Sequence, residues 1–297
     1  MDRTMRVGAY GILTDDAGNT LMQRSTELSQ FAGAWWIPGG GVEHSEDPAD
    51  AVVREFAEET GLDVEITGLR SVTSTVVPMT SEWSQHNTLV LYEVKATGGA
   101  LRDDFDNGEG RNLWTPLSRL SGELMSPKTS TMLNLPGRWP APTNGGRAPE
   151  PPPGMLLEQR VGAYAWLTRP DGKVLLTMIP PGYWAAGLWH LPGGGVDFGE
   201  TPEEGLLREV YEETSQRAEL TGLRGLVSRH DPESVTPDGR PSNFHGINII
   251  WGARIEEETP LRILDVGGST SDLRWFDVDE IADLPKTVAV EAGLSCA

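Results

Sequence analysis

The segment GGVEHSEDPADAVVREFAEETGL, residues 40–62, recurs in altered form as GGVDFGETPEEGLLREVYEETSQ, residues 194–216. Both copies hold a glycine, a glutamate, an Arg-Glu pair and two adjacent glutamates at the same spacing. The same offset carries the sequence RVGAY from residues 6–10 onto residues 160–164. A repeat with this period is far longer than a solenoid unit of roughly 20–50 residues, so it predicts a duplicated domain.

The boundaries of the two domains follow from a change in composition between them. Residues 136–154 are rich in proline and glycine and lack any helical or alternating apolar period. Such a segment is typical of a linker, flexible at its Gly-Gly pair and stiffer at its three consecutive prolines. We therefore predict a first domain over residues 1–135, a linker over 136–154 and a second domain over 155–297.

Composition and charge limit the class of protein. The 297 residues suffice for two domains of ordinary size, and 38% of them are hydrophobic. The formal net charge of −20 argues against binding of nucleic-acid polymers, whose phosphates attract Lys and Arg. We found neither a signal-peptide pattern nor an apolar run long enough for a membrane span, so we expect a cytoplasmic protein without membrane partners. The single cysteine, Cys296, excludes an intrachain disulfide.

Strand and helix signals come in the same order in both copies. The apolar stretches 7–13 and 161–167 predict first strands, and later strands are expected at 65–72, 88–94, 218–227 and 247–253. The repeated helix has start signals in each copy: Asp47 before Pro48, and Thr201 before Pro202 with Glu204 completing a capping box. This mixture predicts an α/β or α+β fold.

The glutamates of the repeated helix fall on one face. Glu55, Glu58 and Glu59 are related as i, i+3 and i+4, so their side chains project within about one turn of each other. We expect the opposite face to pack into the core; its residues would be Ala49, Val53 and Phe56 in the first copy and Leu207 and Val210 in the second. Three neighbouring carboxylates repel each other, and hard oxygen ligands suit Mg²⁺ or Mn²⁺. A solvated acidic helix face is the alternative, which the full spacing and the duplication make the weaker interpretation.

The repeated pattern resembles the Nudix box, which runs Gly, five residues, Glu, seven residues, Arg-Glu, an apolar residue, any residue, Glu-Glu, any residue, Gly and an apolar residue. The first copy meets every position. The resemblance implies a mixed β-sheet sandwiched between α-helices, and a divalent ion, Mg²⁺ or Mn²⁺, held by glutamates and a loop carbonyl. The implied metal ligands are Gly40, Glu55, Glu58 and Glu59 in the first domain and Gly194, Glu209, Glu212 and Glu213 in the second.

The resemblance also implies roles for the remaining polar residues of the box. Arg54 and Arg208 would orient a box glutamate through salt bridges, and Glu46 and Glu200 would support the glycine loop. Glu55 and Glu209 are candidates for the general base. A glutamate or aspartate in a later acidic loop is the alternative; the residues in question are Asp103, Asp104, Asp106 and Glu109 in the first domain and Glu256, Glu257, Glu258 and Asp265 in the second.

The second copy departs from the box at two positions. Ser215 stands where the box has its second glycine, and Gln216 stands where it has an apolar residue. A left-handed backbone at Ser215 would cost roughly 1 kcal/mol, and Gln216 would loosen the adjacent packing. Neither change removes a ligand, so we expect both domains to bind metal and the first to be the more dependable for turnover.

Aromatic residues precede both glycine loops. Trp35 and Trp189 recur at equivalent positions, which favours packing beneath the loop over contact with a nucleobase. Tyr183 and Trp184 have no aromatic counterpart in the first copy, where Ser29 and Gln30 stand. We therefore expect Tyr183 and Trp184 to bind substrate, with packing within the loop as the alternative.

The leading hypothesis is a Mg²⁺-dependent hydrolase that cuts the diphosphate linkage of a small molecule, in which a nucleoside diphosphate is joined to another group. A nucleotide-binding or sensing module without turnover is a second possibility. A third is one catalytic domain with a structural twin, the two packing as an intramolecular pseudo-dimer. The box does not identify the substrate, because specificity lies in other loops.

Overall fold

The computed structural model describes residues 2–27, 31–103, 110–139, 156–236, 239–255, 257–265 and 267–295. The chain divides into two compact units, Met1–Gly154 and Met155–Ala297, which we call the first and second units. Residues 136–138 of the predicted linker hydrogen-bond to residues 122–125 and so belong to the first unit. Most of the remaining predicted linker lies outside the described residues.

A mixed sheet forms the centre of the first unit. Its order is β4 (Gly39–Gly41), β1 (Asp2–Leu13), β6 (Trp83–Gly99) and β5 (Leu62–Pro78), and only the β1–β6 pair is parallel. A second sheet has the order β3 (Trp35–Trp36), β2 (Thr20–Arg24) and β7 (Arg111–Thr115). The predicted strands at 7–13, 65–72 and 88–94 are confirmed, although each observed strand is longer.

Helices cover both faces of the main sheet. Successive residues of β1 point to opposite faces, so Gly11 and Ile12 identify the helix on each side. A side chain at Gly11 would meet Phe56 of α1 (Pro48–Thr60), so α1 packs on that face. Ile12 belongs instead to a buried cluster with Met132 of α2 (Pro127–Leu133). The expected sheet between two helices is therefore confirmed.

The second unit repeats this arrangement within one seven-stranded sheet. The main path is β10 (Trp189–His190), β9 (Val174–Met178), β8 (Leu156–Thr168), β13 (Pro241–Arg254) and β12 (Glu219–Val235). Strand β11 (Gly193–Gly195) pairs with β8, and β14 (Asp272–Phe276) pairs with β9. Its helices are α3 (Pro202–Thr214), α4 (Val278–Ile281) and α5 (Val288–Ser295). No helix in the described ranges combines the length and hydropathy needed to cross a bilayer.

Helices α1 and α3, which carry the repeated glutamates and which we call the box helices, begin where the local sequence predicts. The Asp47 side chain accepts a hydrogen bond from the amide of Ala49, and Thr201 and Glu204 form the expected capping box. Gly61 and Ser215 end the two helices with left-handed backbones, at φ values of 73° and 61°.

The predicted apolar face of the box helix was partly wrong. Phe56 and Val210 are buried as expected, but Val53 and Leu207 are 38% exposed. The buried neighbours are Ala51 and Val52 in α1 and Leu206 in α3. Positions 52 and 56 are one turn apart, so they define the face that packs on the sheet, and position 53 is rotated about 100° from position 52.

Candidate active site

In the first unit one arginine connects the box helix α1 to β4, which we call the glycine strand; β11 is the glycine strand of the second unit. The Nε of Arg54 donates to Glu46 over 2.8 Å, and its Nη1 donates to Glu55 over 2.9 Å and to Glu58 over 3.3 Å. Its Nη2 donates to Glu46 over 3.0 Å and to the carbonyl of Gly41 over 3.1 Å. A planar guanidinium presents five N–H donors in a fixed fork, which explains how one side chain holds all four partners.

The second unit repeats this network almost atom for atom. Arg208 donates to Glu200 over 2.8 and 2.9 Å, to Glu209 over 2.7 Å and to Glu212 over 3.3 Å. Its Nη2 also reaches the carbonyl of Gly195 over 3.0 Å. The structure thus brings together the arginine, the loop glutamate and two of the three helix glutamates predicted for each site.

The glycine strand lies directly against the helix glutamates. A Cβ on Gly40 would come within 2.6 Å of the carboxyl carbon of Glu55, and one on Gly194 within 2.5 Å of that of Glu209. Only glycine leaves room for the carboxylate at this place. The amide of Gly39 also donates to Glu59 over 2.9 Å. The backbone of the glycine strand and the carboxylates therefore share one small region.

Burial and charge act in opposite directions on the innermost carboxylates. Partial burial raises the pKa of Glu55 and of Glu209, and the hydrogen bonds and charges of Arg54 and Arg208 lower them. Their side chains are only 14% and 20% exposed, whereas Glu58 is 61% exposed. The hydrogen bonds that Arg54 donates to Glu46 and Glu55 in turn raise the pKa of Arg54 above its ordinary value.

The last glutamate of the box differs between the units. Glu59 is partly exposed, but Glu213 is only 5% exposed. Glu213 accepts hydrogen bonds from the amide of Gly193, over 3.0 Å, and from the hydroxyls of Ser269 and Thr270, over 3.0 and 2.6 Å. Burial raises the pKa of Glu213 to about 7, against the opposing effect of these three donors.

The residues fit a divalent cation in their chemistry and location. Carboxylate and carbonyl oxygens are the ligands that Mg²⁺ and Mn²⁺ prefer, and the glycine strand offers both a carbonyl and close access. Across the described parts of the chain, however, no three His, Cys, Asp or Glu side chains already form a cluster suited to an ion. The carboxylates of Glu55 and Glu58 instead accept hydrogen bonds from Arg54, and that of Glu59 accepts one from the amide of Gly39.

Basic residues that the sequence analysis did not single out lie beside the first site. The Arg6 guanidinium occupies the place that a Cβ on Gly41 would take, next to the glycine strand. Burial, with a smaller contribution from Arg6, lowers the pKa of Lys128 to about 8. Arg6 belongs to the repeated RVGAY sequence, and this repetition was the signal that could have identified it. Its counterpart Arg160 is 73% exposed and lies 4.0 Å from Glu158.

The aromatic candidates fall into two groups by exposure. Trp35 and Trp189 are each 8% exposed and belong to the core clusters, so packing beneath the loop is confirmed. Tyr183 and Trp184 are 42% and 57% exposed. Arg229 of β12 lies over the Trp184 ring, 4.1 Å from its centroid. The Arg229 side chain is itself 23% exposed and lies 3.5 Å from the Asp231 carboxylate. Arg229 had no sequence signal.

His190 is another site neighbour that sequence reasoning missed. Its Nδ1 shares a 2.7 Å hydrogen bond with Thr287, and its ring lies 4.6 Å from that of Tyr164. Burial lowers the pKa of His190 to about 4, so the ring is neutral at pH 7. Its counterpart in the first unit is Trp36, so the repeat gave no indication of it.

The later acidic loops do not bring a clear base to either site within the described residues. Asp103 accepts the amide of Asn112 over 2.9 Å, and Glu258 forms a 2.9 Å ion pair with Arg169. The amide of Asp265 donates to the carbonyl of Glu212 over 3.2 Å, so this residue lies beside the end of the box helix. The other candidates of the first loop, Asp104, Asp106 and Glu109, and Glu256 of the second, lie outside the described residues.

Comparison with known proteins agrees with this geometry. An RNA pyrophosphohydrolase from Azorhizobium caulinodans is 33% identical over 105 residues, which cover 32% of this chain and 62% of that protein. A putative 8-oxo-dGTP diphosphatase 3 from Mycobacterium tuberculosis is 30% identical over 138 residues, covering 44% and 59%. The chain thus spans about three fifths of the length of these relatives.

A solved structure and a family model also match the chain. The crystal structure of a MutT Nudix hydrolase from Burkholderia pseudomallei matches with 28% identity and a TM-score of 0.37, covering 47% of this chain and 98% of that one. The family model described as NUDIX domain matches residues 4–134 and again residues 158–294. These two segments account for most of the chain, and each contains one copy of the glutamate network. The chain therefore belongs to the Nudix hydrolase family and carries two Nudix domains in tandem.

Proposed function

We propose that this chain is a Mg²⁺- or Mn²⁺-dependent hydrolase that cleaves the diphosphate linkage of a small molecule, in which a nucleoside diphosphate is joined to another group. The observation that carries the proposal is the duplicated arginine–glutamate network against a glycine strand. The relatives named a pyrophosphohydrolase and a diphosphatase support hydrolysis of such a linkage. The expected cytoplasmic location belongs to the same proposal.

The ligands proposed for the first site are Glu55, Glu58, Glu59 and the carbonyl of Gly40. A bound divalent ion would neutralise phosphoryl oxygens and make water a better nucleophile. Arg54 holds Glu55 and Glu58 at the helix surface, and this contact fixes where their carboxylates can meet a substrate. Glu55 is the proposed general base of the first unit, because it is the most enclosed of the carboxylates bound to Arg54.

The second site has the corresponding groups. Arg208 binds Glu200, Glu209 and Glu212, and the carbonyl of Gly194 lies on the adjacent strand. Glu209 is its proposed base. Tyr183 and Trp184 are the proposed substrate contacts of the second unit, because their rings are exposed and Arg229 places a positive charge beside that of Trp184. A charge of −20 makes such local cations important for a phosphorylated substrate and argues against a nucleic-acid polymer.

The proposal is tested by incubating the full chain with Mg²⁺ and a panel of nucleoside triphosphates, ADP-ribose, nucleotide sugars and dinucleoside polyphosphates. Released phosphate or nucleoside monophosphate is measured. The comparison is with a double variant, Glu58→Gln with Glu212→Gln, which removes one proposed carboxylate ligand from each network. We expect the unaltered chain to turn over at least one compound and the double variant to lose most of that turnover. Binding of a nucleotide without turnover would instead support a sensing module.

A further inference from the structure

The buried carboxylate of Glu213 has a different environment from that of its counterpart Glu59. Its Oε1 accepts both hydroxyls, from Ser269 and Thr270, and its Oε2 accepts the amide of Gly193. A carboxylate oxygen offers about two lone-pair positions, so Oε1 is fully used. One position remains on Oε2, in a side chain that is 5% exposed. Mg²⁺ normally keeps several waters, and this enclosure leaves little space for them.

The two hydroxyls come from a segment that we call the β13–β14 segment, residues 257–265 and 267–271. It is held by the positions at which the second box departs from the Nudix pattern. The side-chain Nε2 of Gln216 donates to the carbonyl and to the hydroxyl of Thr259, each over 2.9 Å. The Ser215 hydroxyl donates to the carbonyl of Pro260 over 2.8 Å. Gln216 is 1% exposed, so the expectation that it loosens packing was wrong.

Backbone contacts continue the attachment along the same segment. The amide of Arg262 donates to the carbonyl of Thr214 over 3.3 Å, and that of Leu264 donates to the carbonyl of Glu212 over 2.8 Å. These bonds satisfy carbonyls at the end of α3 that the helix itself leaves open. The segment is thereby held at Thr259, Pro260, Arg262 and Leu264 along the end of the box helix. It is held at Ser269 and Thr270 by the Glu213 carboxylate.

The first unit closes the backbone of its box helix in a similar way. The amide of Arg102 donates to the carbonyl of Thr60 over 2.9 Å, and the Asn112 side chain donates to the carbonyl of Glu59 over 2.9 Å. These contacts are with the backbone of α1, not with the Glu59 carboxylate. Glu59 also remains partly exposed. The Glu59 side chain is therefore more accessible to an ion than the Glu213 side chain, which is 5% exposed.

We propose that Glu213 is a positioning residue, which joins the glycine strand, the box helix and the β13–β14 segment, and that it is not a metal ligand. This inference rests on the proposed function and departs from the ligand set that the family resemblance implies. The second unit would then hold its ion through Glu209, Glu212 and the carbonyl of Gly194. With one fewer carboxylate, the second unit should bind a divalent ion more weakly than the first, because affinity follows the number of charged ligands.

The test uses Mn²⁺ binding to the full chain, followed by the electron paramagnetic resonance signal of the free ion. A background with Glu55→Gln and Glu58→Gln reports the second unit, and one with Glu209→Gln and Glu212→Gln reports the first. Glu213→Gln is added to the former and Glu59→Gln to the latter. We expect Glu213→Gln to change the Mn²⁺ Kd by less than about threefold and Glu59→Gln to raise it by about tenfold or more.

The Gln substitution at 213 is suited to the site because its oxygen can accept from Gly193 while its NH₂ donates to the hydroxyl oxygens of Ser269 and Thr270. Amide exchange of Gly193 and of the β13–β14 segment should therefore stay near that of the unaltered chain in Glu213→Gln and rise in Glu213→Ala. An equal loss of Mn²⁺ affinity in Glu213→Gln and Glu59→Gln would overturn the inference and leave the proposed hydrolase intact. No Mn²⁺ binding by the unaltered chain would overturn both.

Discussion

Gly40→Ala tests whether the contact between the glycine strand and the helix glutamate sets the site. The new Cβ would lie 2.6 Å from the carboxyl carbon of Glu55 and 2.8 Å from one of its oxygens. Ordinary contacts exceed about 3.5 Å, so the carboxylate must move by about 1 Å and weaken its 2.9 Å bond to Arg54. The atoms met belong to the end of a flexible side chain, so the stability cost is about 1 kcal/mol and comes mainly from the weakened hydrogen bond. A displacement of about 1 Å in a catalytic group can lower kcat/KM by about 100-fold.

The assay compares melting temperature and kcat/KM of the full chain on the best substrate of the panel, in a background with Glu209→Gln and Glu212→Gln so that turnover reports the first unit alone. A domain of this size loses about 2–4 °C in Tm for each kcal/mol. Gly68→Ala is the control, because a Cβ there would meet nothing within 4 Å. Gly194→Ala reproduces the same contact in the second unit. If Gly40→Ala keeps kcat/KM within about twofold of Gly68→Ala, the reasoning about Glu55 is refuted.

Further predictions concern single contacts of the two networks. Arg54→Lys should destabilise the first unit by about 2 kcal/mol in denaturant unfolding, since one ammonium cannot replace the five-bond fork; an unchanged midpoint would contradict this. The pKa of Glu213 is about 7 in the folded state and near 4.5 in the unfolded state, so between these pH values the Glu213 carboxyl is protonated when folded and ionised when unfolded. The second unit should therefore lose about 3 kcal/mol of stability between pH 4.5 and 7 and change little above that, and Glu213→Gln should abolish this slope in thermal unfolding at several pH values. Gln216→Leu should raise amide exchange at Leu264 by about tenfold through loss of its bonds to Thr259, whereas equal exchange would show that the β13–β14 segment is held without it.

Local signals were enough to predict the box helix and its ends. Asp47 and Thr201 cap their helices through contacts within three residues, and Gly61 and Ser215 adopt the left-handed ends that the pattern requires. These features depend on neighbours along the chain, which the sequence displays directly. The same is true of the i, i+3, i+4 spacing that places the glutamates together.

Contacts distant in sequence could not be predicted in the same way. Gln216 bonds to Thr259, 43 residues further along, and nothing in either stretch identifies the partner. Val52 and Val53 are equally apolar, so the helix pattern alone did not decide which one faces the sheet. Packing against β1 decides it, because Gly11 leaves room for Val52 and Phe56.

The two units present similar acids with different cations beside them. The arginine–glutamate bonds of α1 and α3 agree within about 0.2 Å, so the network itself gives no reason for different substrates. In the first unit Arg6 lies against Gly41, but in the second a Cβ on Gly195 would meet nothing within 4 Å. The second unit instead has Arg229 on β12, stacked on a ring that the first unit lacks. Because a phosphorylated ligand must be attracted by cations near an acidic site, differences in substrate between the units should follow these basic residues and not the box.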